Sequence, residues 1–83
     1  MKDSKEIYRD GIILCKRGDL LHCEDGPAVV FKNGTKKWFI NGKKHREDGP
    51  AIEWSNGNMV WCLYDHEYSE QKFIEWKLLN LLT

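Results

Sequence analysis

The sequence predicts a mainly β protein: an antiparallel meander of three repeated β-hairpin units closed by a single C-terminal α-helix. Three observations carry this prediction. The stretch His22-Cys23-Glu24-Asp25-Gly26-Pro27-Ala28 returns 23 residues later as His45-Arg46-Glu47-Asp48-Gly49-Pro50-Ala51. Turn dipeptides keep the same register, with Asp10-Gly11, Asn33-Gly34 and Asn56-Gly57 at equivalent places. After Tyr64 the repeat gives way to a helix-forming run that ends in Leu81-Leu82. A fixed period of this length marks a stacked array of one small supersecondary unit.

Taken in order, residues 1–5 are polar and charged and expected to fray. The first unit, about 6–21, starts a strand at Glu6, turns at Asp10-Gly11 and returns through Ile12–Lys16. Asp-Gly and Asn-Gly supply the left-handed residues of a two-residue type I′ hairpin, so each is expected to join two strands that way. Arg17-Gly18-Asp19 is a turn, and its resemblance to an adhesion tripeptide is read as chance. The second unit, 22–44, places Val29 and Phe31 on one strand face and Trp38 and Ile40 on the return strand. The third, 45–67, repeats this with Ile52, Trp54, Trp61 and Leu63. Val60 and Cys62 on the opposite face mark a strand covered on both sides.

The duplicated linker is expected to be structural, through His22, Asp25, Gly26, Pro27 and their equivalents His45, Asp48, Gly49, Pro50. Proline after a turn begins a strand without costing a ladder bond, and the preceding Glu-Asp closes Asx-type turns. Gly49 is expected to be a position that tolerates no Cβ. Asp65–Tyr68 reads as a turn. Ser69 is an N-cap, opening a helix over 69–82. The expected core is Tyr8, Val29, Phe31, Trp38, Ile40, Ile52, Trp54, Trp61, Leu63, Phe73 and Ile74.

Composition bounds the rest. At 83 residues the chain is one domain, 1–83. Its four Trp, three Tyr and three Phe supply apolar area to a core that is otherwise small. Thirteen basic and thirteen acidic residues balance, announcing neither a nucleic-acid footprint nor an acidic mimic. Residues 1–6 lead into no apolar run, so no export signal is expected and no membrane span either. Cys15, Cys23 and Cys62 form no paired motif, and reduced thiols in a cytoplasmic setting are expected.

The pattern from Trp38 to Ala51, W-x-x-N-G-K-x-H-R-E-D-G-P-A, resembles the repeats of small MORN-variant-like proteins frequent in tailed phages. The ending Ser69-Glu70-Gln71-Lys72-Phe73-Ile74-Glu75-Trp76 is similar too. The first copy departs from the pattern at Cys23 and at Arg17–Leu20. The resemblance implies a phage origin and says little about activity. It implies no catalytic chemistry. Small size, missing catalytic groups and surplus aromatic surface carry the expectation of a binding module, an inhibitor or adaptor acting on a host protein or complex in the host cytoplasm, of the anti-defence, anti-CRISPR-like kind.

Candidate sites follow from residue chemistry. A His beside a carboxylate suits general acid–base work, yet both histidines recur with the period and so belong to the turn; no enzyme is expected. Zinc ligands are present in His22, Cys23, His45, Cys62 and His66, but their spacing is not metal-like, so no metal or other cofactor is expected. Lys36, Lys37, Trp38, Lys43, Lys44 and Arg46 interleave charge with aromatic surface, a nucleotide or single-strand binding alternative. The leading expectation is a protein-binding surface on the helix. Ile74, Leu78, Leu81 and Leu82 are assigned to the sheet. Phe73, Trp76 and Leu79, with Leu82 at the border, are assigned to a host partner or to a homodimer through the helix.

Overall fold

The computed structural model describes residues 3–81. It is an antiparallel β array with one C-terminal helix. Strands β1 (Ser4–Ile7), β2 (Ile13–Arg17), β3 (Leu20–Leu21), β4 (Val29–Val30) and β5 (Lys36–Lys37) precede β6 (Phe39–Ile40) and β7 (Lys43–Lys44). Then come β8 (Ile52–Glu53), β9 (Met59–Leu63), β10 (His66–Tyr68) and helix α1 (Glu70–Leu81). The main sheet runs β1-β2-β4-β5-β8-β9-β10, with β3 on the side of β2, and β6-β7 forms a separate ribbon.

Each unit therefore has three arms. The middle strand pairs along its first half with the outer arms of its own and the neighbouring unit, as Lys36 does with Val30 and Glu53. Its second half folds back on a third arm, as Ile40 does with Lys43. Backbone bonds outside the strand ladders, within and between units, repeat with the period. Cys23 N–H donates to Phe39 O and Arg46 N–H to Cys62 O; Gly42 N–H donates to Leu21 O and Asp65 N–H to Lys44 O.

The turn types differ from expectation. At Asn33-Gly34 the loop has three residues: Gly34 N–H donates to Phe31 O, and Phe31 N–H to Thr35 O. The same bonds recur at 8–12 and 54–58. Only the glycine is left-handed, at φ 84°, 95° and 93° for Gly11, Gly34 and Gly57. This is a type I turn closed by a left-handed glycine. The Asx side chain explains itself: Asp10, Asn33 and Asn56 each accept the N–H two residues on, at 3.2, 2.9 and 2.9 Å. Two-residue turns lie elsewhere. Asn41-Gly42 and Tyr64-Asp65 are left-handed at both positions, as a type I′ turn requires.

Two boundaries move as a result. Asp65–Tyr68 is not one turn: Tyr64-Asp65 makes the turn, and His66–Tyr68 is a strand that repeats Lys43–His45 in register. The period thus runs on to the helix. At the other end β1 begins at Ser4 rather than Glu6, and Arg17 anchors Asp3 through an Nη2–Oδ1 contact of 2.8 Å. Ser69 caps α1 as expected, its Oγ accepting Lys72 N–H at 3.2 Å.

The molecule is only 17 Å across its thinnest direction, about one sheet with a helix beside it. Large side chains cannot be enclosed in so thin a body. Val29, Ile52, Leu63 and Phe73 are buried as expected, and Phe31, Trp38, Ile40 and Trp61 are half-buried. Tyr8, Trp54 and Ile74 are exposed. The buried centre is made of small residues at the unit junctions: Ala28 and Ala51 are fully covered, and Cys15, Cys23, Cys62, Thr35 and both linker histidines are buried. Cys62 and Leu63 are both enclosed, so β9 is covered on both faces.

Candidate functional site

The linkers form a groove of about 780 Å³ running past Glu24, Asp25, Glu47, Asp48, Arg46 and Tyr64. His45 lines it, and both linker histidines are buried. Asn41 N–H donates to His22 Nδ1 at 2.9 Å, and Tyr64 N–H donates to His45 Nδ1 at 3.1 Å. Both acceptors serve the first residue of a two-residue turn, so each linker clasps the turn of its own unit. An accepting Nδ1 places the proton on Nε2, from which His45 donates to Glu47 at 3.0 Å. Tyr64 also stacks on the His45 ring, centroids 3.9 Å apart, which offsets its left-handed backbone. His22 Nε2 stands 3.6 Å from Glu24. Both Nδ1 contacts hold the backbone of a turn in place.

Arg46 lies flat on Trp38, 3.8 Å from the ring centroid. Its guanidinium donates to Asp48 at 2.7 Å, to Glu53 at 2.9 Å and to Pro50 O at 3.1 Å. The bond from Arg46 holds the Asp48 carboxyl below its usual range. Gly49 is crowded for the same reason: a Cβ there would sit 3.1 Å from the Arg46 guanidinium carbon. Gly26, beside Cys23 instead of Arg46, faces open space. Neither glycine is left-handed. The need for glycine is therefore confined to the second linker and arises from side-chain crowding. Asp25, Pro27 and Pro50 lie in these same linkers.

The basic set is divided. Lys37 Nζ lies over Phe31 and Trp54, at 5.5 and 5.1 Å from their centroids. Lys36 and Lys43 are exposed, Lys44 is half-buried, and Trp38 and Arg46 are paired with each other. These six do not converge on one surface cleft, and four linker carboxylates stand around Arg46.

The helix faces the opposite way from expectation. Phe73 is buried, Trp76 is half-buried and tilted against it at 5.7 Å, and Lys77 Nζ donates to Glu47 O at 2.8 Å. At about 100° per residue, positions 73, 76, 77 and 80 share this inner face. Ile74, Leu78 and Leu81 share the outer face and are 44%, 55% and 73% exposed. Leu79 is exposed on a different flank. Phe73 and Trp76 are thus anchors of the cap, while Ile74, Leu78 and Leu81 are the uncovered stripe. Leu82 lies outside the described residues. Among those residues no helix is long and apolar enough to cross a membrane.

Comparison with protein-family descriptions, curated proteins and solved structures finds no match to this chain.

Proposed function

We propose that the chain is a non-enzymatic protein-binding module whose contact surface is the outer face of α1. One observation carries the reading: Ile74, Leu78 and Leu81 lie four and three residues apart, on one side, and stay in water. Each forgoes up to about 1.5–3 kcal/mol relative to burial, and a contiguous apolar stripe marks an interaction site. The i, i+4, i+7 spacing is that of helices that lie in a partner's apolar groove. The resemblance to phage MORN-variant repeats supports a phage origin, and with it a host protein or complex as the partner that the module would inhibit or adapt in the host cytoplasm. A second copy packed about a two-fold axis is the self-associating version of the same contact. The nucleotide or single-strand alternative draws less support, because Arg46 is already engaged by two carboxylates and Trp38.

A photo-reactive residue in place of Leu78, exposed to bacterial host lysate, tests the reading. A discrete protein adduct that disappears in the I74E/L81E background is the expected result. An absent adduct, or one indifferent to those changes, contradicts it.

A further inference from the structure

We infer that Cys15, Cys23 and Asp3 form a binding site for a thiophilic divalent cation of the zinc class. The sulfurs of Cys15 and Cys23 and a carboxylate oxygen of Asp3 all lie within 4.8 Å of one another. Both thiols are free and buried. A tetrahedral ion with sulfur at about 2.3 Å and oxygen at about 2.0 Å needs ligand separations of roughly 3.5–3.8 Å. Closure by up to about 1 Å satisfies that, within the reach of side-chain rotation.

Three further features favour a metal over a plain apolar thiol pair. Asp25 Oδ1 accepts a hydrogen bond from Cys23 Sγ at 3.3 Å, so a carboxylate behind that thiol orients it, and a solvent molecule would complete the four ligands. Arg17 bonds Asp3 Oδ1 at 2.9 Å through Nε, which orients the carboxylate. This is the usual service of a group behind a metal ligand. The third feature is the exchange between units. The slots of Cys15 and Cys23 are held one period later by Trp38 and Arg46, which stack at 3.8 Å. Both members change together, so one contact pair replaces another at the same junction. Where the later unit closes that junction with a cation over a ring, the first offers two sulfurs to a cation.

Binding releases two protons: each thiol loses one to the buffer, and the two thiolates with the Asp3 carboxylate hold the ion. Occupancy therefore rises steeply with pH.

Titration of the reduced full chain with Co²⁺ tests the site. The expected result is one ion per chain, with a thiolate-to-cobalt charge-transfer band in the near ultraviolet and intense visible bands of a tetrahedral centre. Zn²⁺ should bleach both stoichiometrically. C15S and C23S should each lose the charge-transfer intensity that C62S retains, and D3N should bind at least ten-fold more weakly. Two results overturn the inference. One is a reduced parent chain showing no such band at millimolar Co²⁺. The other is a band that survives in C15S/C23S or vanishes in C62S. The parent measurement stands even if a variant fails to fold.

Discussion

The buried imidazole of His45 accepts the backbone N–H of Tyr64 at 3.1 Å while stacking on the Tyr64 ring, and His22 makes the equivalent bond to Asn41 at 2.9 Å. A 23-residue repeat thus carries a 19-residue clasp in each copy. Replacing either histidine by alanine leaves a turn N–H without its acceptor and opens a cavity at a unit junction. Each of H22A and H45A should cost about 2–4 kcal/mol, read as the loss of unfolding free energy in urea. A variant with the stability of the parent would mean that the histidines are held for something other than the fold.

The glycines before the two prolines should respond differently. At Gly26 an added methyl meets open space, so G26A should stay within about 0.5 kcal/mol of the parent. At Gly49 it presses on the guanidinium of Arg46 and strains the contacts to Trp38 and Asp48. G49A should lose about 1–2 kcal/mol, and that loss should shrink in an R46A background, where nothing remains to collide with. Equal effects at the two glycines would show that the backbone, not Arg46, sets the requirement.

Alkali should destabilise the metal-free fold through Cys23. Its thiol ionises at about 12 in the folded chain and near 9 when unfolded, so the folded state holds an extra proton between those values. Stability contributed by the protonated thiol is complete below pH 9 and is lost as pH rises towards 12. Cys62, raised by burial, adds in the same direction. Urea unfolding at pH 8 and pH 10.5, with chelator present, should show a steeper decline for the parent than for C23S. Parallel declines would refute the assignment.

Much of the architecture was legible because the repeat is written in both turn residues and linkers. The period located the hairpins at Asp10-Gly11, Asn33-Gly34 and Asn56-Gly57, and Ser69 located the helix start. What escaped has physical causes. Asn-Gly serves two turn types, and only the ladder register tells whether the loop has two residues or three. Tyr64-Asp65 carries no glycine, so its left-handed turn gives no local signal, and the equivalent Asn41-Gly42 one period earlier lies off the register of the three turn dipeptides that define the hairpins. The core was misjudged at Trp54 and Tyr8 because a one-sheet body has room at its junctions only for Ala, Cys, Thr and His. The proximity of Cys15, Cys23 and Asp3 depends on how β1 folds along β2, which spacing alone does not express. The helix carries two apolar stripes. Its inner face is marked by Phe73 together with Lys77, whose apolar stem lies inward while its amine reaches Glu47 O.

The central claim is that the repeats and the inner helix face form the scaffold, while Ile74, Leu78 and Leu81 are left for another molecule. Thermal unfolding of I74Q/L78Q/L81Q at low micromolar concentration tests it most directly, since glutamine keeps helix propensity and removes only the apolar surface. The account predicts a melting temperature within about 3 °C of the parent, because a loss of 1 kcal/mol shifts a domain of this size by roughly 4–8 °C. A fall of more than about 10 °C would show that these side chains are core, and would contradict the account.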